Sequence, residues 1–363
     1  MPLPTTIEHP AREAYRLSLD PVRNAIVSMM LVTKNEEMPG VGAWVTQIRA
    51  KLTAEELFKH RLVILGFFFT FQPEGEWNSF PEYLNALDKS DPIAMREKML
   101  KIYAKICIDR DNQLAGKGVD WDQALSSVDA YIDFLKGGFS DVHIEIDVET
   151  KAYDYVLDPP AMKSLVVDHL RWFWKEHLSA EWTRVEPILQ ESAKAFQNAN
   201  TENMGRLEMA RYITGQDLDE AVWKKKLEDA KQVTYIPNAH IGPYIDKMHG
   251  DESLKIIFGA RQPDDSNFRI PELDRADIVA RMSALADDTR LSILQRIAER
   301  GELRSQDIIE KTGLSQPSVS RYLTQLTATG YLQERRVNGS KAYVLNRDRI
   351  EKTLKAVHKF LLG

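Results

Sequence analysis

The chain has 363 residues, of which 43% are apolar and 28% charged, with a net charge of −6. That balance describes a globular protein with sizeable cores and more length than one domain usually takes, and it excludes a disordered or fibrous chain. No stretch approaches 18 uninterrupted apolar residues, the opening Met1-Pro2-Leu3-Pro4-Thr5-Thr6 has no basic segment leading into an apolar run, and the single Cys107 cannot close an intramolecular disulfide; the expectation is a cytoplasmic protein with no membrane partner.

Helical periodicity is read over 21–34, 54–71, 80–87, 94–109, 122–135, 160–178, 182–199, 203–213 and 218–230. Residues 142–148 alternate apolar and acidic side chains, which suits a strand or a helical turn. Stretches 233–236 and 254–258 have the composition of paired strands, with 237–250 crossing between them. The run Gln262-Pro263-Asp264-Asp265-Ser266-Asn267 breaks every pattern and marks a boundary, giving a domain over 1–262, a linker over 263–275 and a second domain over 276–363.

All 7 tryptophans precede residue 224, and Phe67, Phe68, Phe69, Phe71, Trp77, Phe80 and Tyr83 crowd into one segment. Two readings stand side by side: a core packed on several sides, or a cavity for an apolar or aromatic small-molecule effector, for which Phe68, Phe71, Trp77 and Trp172 are the candidate lining. His169 and His177 can share a helical face, but no acidic or cysteine partner completes a metal set at recognised spacing. Nucleotide-binding glycine loops, a G-x-S-x-G elbow and an H-E-x-x-H pair are all missing, so no enzyme and no cofactor is expected.

Residues 276–363 carry 15 Lys/Arg against 10 Asp/Glu, a net of +5, while residues 1–275 hold the other 33 and 44, a net of −11. Screening confines charge effects to about 8–10 Å, so the local excess is what a phosphate backbone would meet. Helices are expected over 278–286 and 287–300, with Met282, Leu285, Leu291, Leu294 and Ile297 turned inward. Ser305 is a candidate cap for a helix to Thr312, and Gly313 can end it in the left-handed conformation. Ser315 then caps a second helix with Pro317 in its first turn, Val319, Leu323 and Leu326 on its buried face, and Gln316, Ser318, Ser320, Arg321, Thr324 and Gln325 on the other. Strands at 331–337 and 341–345 flank Asn338-Gly339, a two-residue hairpin signal, and present Arg335, Arg336 and Lys341 as a basic wing. Asp348 is a candidate cap for a last helix whose Ile350, Leu354, Val357 and Phe360 form an apolar edge. Helix, glycine turn, polar helix and basic hairpin together make a winged helix-turn-helix.

These residues resemble the ArsR-type winged helix-turn-helix regulators from about Asp277 onward. Ala284-Leu285-Ala286-Asp287-Asp288-Thr289-Arg290-Leu291 is close to the family's A-L-A-D-P-T-R-L, with Asp288 in place of its proline, and Leu314-Ser315-Gln316-Pro317-Ser318-Val319-Ser320 is close to its L-S-Q-P-T-V-S. The resemblance implies a homodimeric repressor on a double-stranded DNA operator. Metal-sensing members use cysteines before the turn or Asp and His on the last helix; here 301–307 lacks cysteine, Ile350 stands where a histidine would, and His358 is alone, so no metal is expected. The layout, with Tyr235-Ile236-Pro237 and the Gly242-Pro243-Tyr244 turn, is also similar to a group of bacterial regulators with an uncharacterised N-terminal domain.

The expected fold is mainly α: a large helical N-terminal domain with a small β-hairpin, then a C-terminal winged helix-turn-helix domain. The expected function is sequence-specific transcriptional regulation, with Ser315, Gln316, Ser318, Ser320, Arg321 and Tyr322 reading or positioning DNA and Arg335, Arg336 and Lys341 contacting it from the wing. The N-terminal domain would sense a non-metal small molecule or, alternatively, serve as a protein-interaction or assembly module.

Overall fold

A computed structural model describes residues 15–34, 38, 40–110, 118–139, 144–199, 201, 204–218, 220–249, 253–263, 271–337 and 340–362. They gather into two compact units between which the chain passes repeatedly. One unit takes its described residues from Asp20–Thr33 and Ile48–Glu181, the other from Met1–Leu19, Lys34–Gln47 and Trp182–Gly363.

In chain order, β1 (Tyr15–Leu17) precedes α1 (Pro21–Lys34), α2 (Ala43–Lys51) and α3 (Ala54–Arg61). A π-helical turn at Leu62–Gly66 and a 3-10 turn at Phe68–Phe71 lead to α4 (Phe80–Asp88) and α5 (Pro92–Arg110). Then come α6 (Trp121–Ala124), α7 (Val128–Gly138), α8 (Ile146–Leu157) and α9 (Pro159–Phe173), and a second π turn at Trp174–Leu178 joins α9 to α10 (Ser179–Gln197).

The helical unit is built from capped, separately started helices. Thr53 and Glu56 satisfy one another's backbone N–H groups at the start of α3, and Ser79, Asp120, Ser127 and Asp158 accept from the first turns of α4, α6, α7 and α9. Ser127 explains why the expected helix over 122–135 is two helices: its hydroxyl accepts from Ala130 N–H and restarts the chain. The expected helices 54–71 and 160–178 instead widen into π turns, each inserting a residue and re-phasing the faces that follow. Two helices, α2 and α8, lie where no helix was expected, the latter taking up part of the ambiguous stretch 142–148, whose residues 142 and 143 lie outside those described.

In the other unit, α11 (Arg206–Thr214) and α12 (Glu220–Asp229) cover a sheet of β2 (Gln232–Asn238), β3 (Ile245–His249) and β4 (Ser253–Gly259) together with β1, in the order β1-β2-β4-β3. The two expected strands do pair, but in parallel, with Val233 opposite Leu254; β3 returns antiparallel to β4, and β1 adds in parallel with Tyr15 opposite Val233. Strand β2 is buried from Val233 to Asn238, as a central strand with both faces covered must be. Pro237 is tolerated there because Tyr235 turns its carbonyl to the β1 side, where it accepts from Ser18 N–H, and Pro237, two residues on, turns the same way beyond the end of β1. Phe196, Met209, Ile213, Trp223 and Leu227 pack on Tyr235, Ile256 and Phe258 from the helical side.

The rest of this unit is α13 (Pro271–Leu285), α14 (Asp288–Arg300), β5 (Glu302–Arg304), α15 (Ser305–Thr312), α16 (Gln316–Ala328), β6 (Leu332–Val337), β7 (Ser340–Leu345) and α17 (Arg347–Leu362). The helix α13 begins inside the stretch read as a linker, with Pro271 at its first position, where a missing N–H costs nothing; residues 264–270 lie outside those described. Ala284, Ile293, Ile297, Ile308, Val319, Leu323, Leu326, Tyr331 and Leu332 form the core of this segment. Leu291, expected inward, is 47% exposed, and Ile293 takes its place, because the inward face of α14 runs through Arg290, Ile293, Leu294 and Ile297.

Candidate nucleic-acid interface

Two helices at a glycine turn set up the interface. Ser305 is the first residue of α15, not its cap: Arg304 holds the cap position and Asp307 accepts from Arg304 N–H at 2.9 Å. Gly313 closes α15 at φ 69°, the left-handed region that glycine enters without a Cβ penalty. The next helix, α16, starts at Ser315, whose hydroxyl accepts from Ser318 N–H at 3.4 Å and lies 2.9 Å from Ser318 Oγ. Pro317 occupies the first turn.

Val319, Leu323 and Leu326 anchor α16 in the core as expected, and Gln316, Ser320, Arg321 and Thr324 lie exposed on the opposite side. Ser318 is half-buried, and Tyr322 packs its ring against the core edge. Gln325 departs from the expected polar face. It is 1% exposed, and its Oε1 accepts from Arg290 Nη1 at 2.7 Å. Arg290 also donates to the carbonyls of Ala284 and Ser283, both at 2.8 Å, so one buried guanidinium ties the end of α13, the start of α14 and the back of α16 together. In the sequence Arg290 stands out only as part of the motif; the further signal is its place three residues after the capping Asp287, on the same helical face as Ile293, Leu294 and Ile297.

Strands β6 and β7 form the wing and pair with β5 in the order β5-β7-β6. Arg335 lies opposite Ala342 and Arg336 opposite Lys341, and both arginines are exposed; Asn338-Gly339, the expected turn, lies outside the described residues. Lys341 is held in the hairpin by an ion pair to Glu334 at 3.0 Å. Tyr343 donates to the same carboxylate at 3.4 Å, and burial followed by the Glu334 charge pushes the Tyr343 phenol up to about 12. On α17, Asn346 and not Asp348 accepts from the first turn, at Arg349 N–H, while Asp348 pairs with Lys352.

The wing arginines share a cleft of about 820 Å³ with the preceding segment. Its lining is Arg211, Asp217, Leu218, Lys224, Lys225 and Glu228 from α11, α12 and their connection, and Gln333, Glu334, Arg335 and Arg336 from β6. The sequence signal for these partners was the run Lys224-Lys225-Lys226 inside an acidic region.

The aromatic candidates lie in the helical unit. Phe71 is fully buried, Phe68 meets Phe69 and Phe71 edge-on at 5.3 and 6.0 Å, and Trp77 meets Tyr83 at 5.5 Å. Trp172 belongs to another stack, with His169 at 5.3 Å and His177 at 5.0 Å. His60, not singled out from sequence, joins that stack, with Nδ1 2.9 Å from His169 Nε2 and Nε2 2.9 Å from Met29 O. Burial holds the His60 imidazole down at about 4 and moves His169 further in the same direction. Among the described residues no group of three or more His, Cys, Asp or Glu is arranged to hold a metal ion, and no helix is long and apolar enough to cross a membrane.

A known family model falls on this segment. The family model described as the IclR helix-turn-helix domain matches residues 291–336. A probable mercury resistance operon repressor of Streptomyces lividans is 43% identical over 67 residues, 18% of this chain and 53% of the relative. The arsenic resistance transcriptional regulator ArsR1 of Pseudomonas putida is 46% identical over 52 residues, 14% of this chain and 41% of the relative. The chain thus spans about half the length of the curated relatives it matches. What these matches have in common with the geometry is a winged helix-turn-helix domain of the kind found in transcriptional regulators.

Proposed function

We propose that the chain is a sequence-specific, DNA-binding transcriptional regulator, a homodimeric cytoplasmic repressor of the ArsR type, whose DNA-binding domain is 276–363 and whose N-terminal region responds to a non-metal small molecule. The observation that carries this reading is α16, an N-capped helix that buries Val319, Leu323 and Leu326 and exposes Gln316, Ser320, Arg321 and Thr324 beside a basic wing. Such short or forked polar groups reach base edges without the bulk that would hold a helix out of a major groove. Arg321 is assigned to a guanine, Ser315, Gln316, Ser318, Ser320 and Tyr322 to bases or phosphates, and Arg335, Arg336 and Lys341 to the backbone. Support for repression is the Streptomyces lividans relative, named a probable operon repressor; the Pseudomonas putida relative is named a transcriptional regulator and supports regulation in general.

The test is a mobility-shift titration with the fragment upstream of the chain's own gene and with random DNA. Wild type should prefer the upstream fragment, and Arg321→Ala should lose most of that preference. Equal binding of both fragments by both proteins defeats the proposal.

A further inference from the structure

We propose that the cleft between α12 and the wing is a binding site for a compact, multiply charged small anion, such as a phosphate ester, and that this anion competes with DNA for Arg335 and Arg336. The competition half rests on the reading of the wing as a DNA contact.

Volume and chemistry both suit such a ligand. About 820 Å³ lies within the usual range for small-molecule sites. Leu218 is the one apolar lining residue and no aromatic ring faces the cleft, so an apolar effector finds nothing to bury against. Five basic residues stand against three acidic ones. Two of those acids are matched from within the protein: Asp217 lies 3.5 Å from Arg211 and Glu334 lies 3.0 Å from Lys341. Lys225, Arg335 and Arg336 are exposed toward solvent and form no ion pair among the described residues, and forked guanidinium groups match phosphate and carboxylate oxygens.

A DNA strand is the rival occupant, and the lining argues against it. Glu228 and the other carboxylates are interspersed among the cations, which penalises a continuous track of phosphates but leaves room for a discrete anion whose hydroxyl groups the carboxylates accept. The cleft is also tied to the DNA-reading helix. Arg211 donates to Leu218 O through Nε at 3.1 Å and Nη2 at 2.6 Å, fixing the loop that forms one wall. Arg349 of α17 donates to Gly215 O in that loop at 3.2 Å and to Thr329 O, at the C-terminal cap of α16, at 3.0 Å. An anion drawing Lys224 and Lys225 toward Arg335 and Arg336 therefore occupies the wing's cations and bears on the loop that Arg349 links to α16.

The test uses the full chain and inorganic pyrophosphate as probe, titrated calorimetrically at constant ionic strength. Wild type should bind one equivalent, and the Lys224→Ala/Lys225→Ala double variant should bind about tenfold more weakly or worse, since charge-assisted contacts are lost. Lys105→Ala/Lys136→Ala, which removes the same charge from the helical unit, should match wild type. Saturating pyrophosphate should weaken wild-type binding to the upstream fragment and leave the Lys224→Ala/Lys225→Ala variant unaffected. Absent pyrophosphate binding, or binding unchanged in that variant, overturns the site. A variant that without pyrophosphate loses DNA affinity, with a salt slope lower by about 2, makes the lysines DNA contacts and also overturns it. Unchanged DNA affinity in saturating pyrophosphate overturns the competition. Pyrophosphate binding by a wild type that ignores DNA defeats the regulator reading and leaves the site standing.

Discussion

Arg290 and Gln325, 35 residues apart, meet through a 2.7 Å hydrogen bond in the core of the winged helix-turn-helix and hold α16 against its scaffold. Replacing Gln325 with leucine keeps the volume roughly but leaves a guanidinium N–H buried without an acceptor, a loss of roughly 1–3 kcal/mol. The expected outcome is a lower urea midpoint for the transition of this domain, with Arg290→Met falling at least as far because two carbonyls lose their donor as well. A midpoint unchanged in both variants would remove the pair from the stability of the domain.

The imidazoles of His60 and His169 predict acid sensitivity in the helical unit. His60 Nε2–H donates to Met29 O, so His60 Nδ1 accepts from His169 Nε2–H, and both rings fold in their neutral form. Below the unfolded histidine value of about 6.5 the unfolded chain takes up protons that the folded one refuses. Stability should thus be complete above that value and fall steadily toward about 4, where the His60 ring itself titrates. Denaturation midpoints at pH 7.5 and pH 5 measure the slope, which His60→Gln, keeping a donor for Met29 O, should reduce.

Glu149 acts in the opposite sense. Burial first, and the Glu145 carboxylate second, push its carboxyl up to about 7, and among the described residues Oε2 has no hydrogen-bond partner. Between the unfolded value near 4.5 and that raised value the folded chain keeps a proton the unfolded chain has lost, so stability is lost as pH rises through the window. Glu149→Gln should therefore stabilise the protein at pH 8, by up to about 3 kcal/mol, and change little at pH 4. Equal effects at the two pH values would contradict the assignment.

Wing and helix arginines should separate in DNA titrations at several salt concentrations. Arg336→Ala is expected to weaken all DNA alike and lower the salt slope by about 1, whereas Arg321→Ala should cost about 1–3 kcal/mol of base discrimination. Identical behaviour of the two variants would show that one of them has the wrong role.

Dimerisation is expected through α13 and α17. Val279 is 59% exposed on the first, and Leu354, Phe360, Leu361 and Leu362 are 55%, 43%, 69% and 75% exposed on the second, more bare apolar surface than one short helix usually leaves to water. Sedimentation of the wild type should give a dimer at micromolar concentration, and Val279→Asp/Leu354→Asp a monomer.

Much of the winged helix-turn-helix was legible because its signals are local: a capping serine, a glycine at the turn, a helical apolar stripe at Val319, Leu323 and Leu326. Gln325 and Arg290 were not, since a polar side chain that is buried by a partner 35 residues away looks like any other polar residue in its own helix. The cleft was illegible for the same reason, as Lys225 and Arg336 are brought to one cavity by tertiary packing alone. In the helical unit the π turns at Leu62–Gly66 and Trp174–Leu178 kept a helical pattern while shifting its phase, and the four-stranded sheet was read as a pair because β1 has only three residues and β3 falls inside the stretch read as a crossing.

The pairing of Tyr15 with Val233 sets an order of assembly. During synthesis β1 emerges long before its partner, and 20–33 and 48–181, the whole of the helical unit, are made while β1 waits. A unit complete in sequence can collapse on the ribosome first, whereas closing β1 onto β2 is a contact of high sequence separation and correspondingly slow. The winged helix-turn-helix is translated after β2 and β4, so the part that would grip DNA leaves the ribosome only when the strands of the four-stranded sheet have all been made.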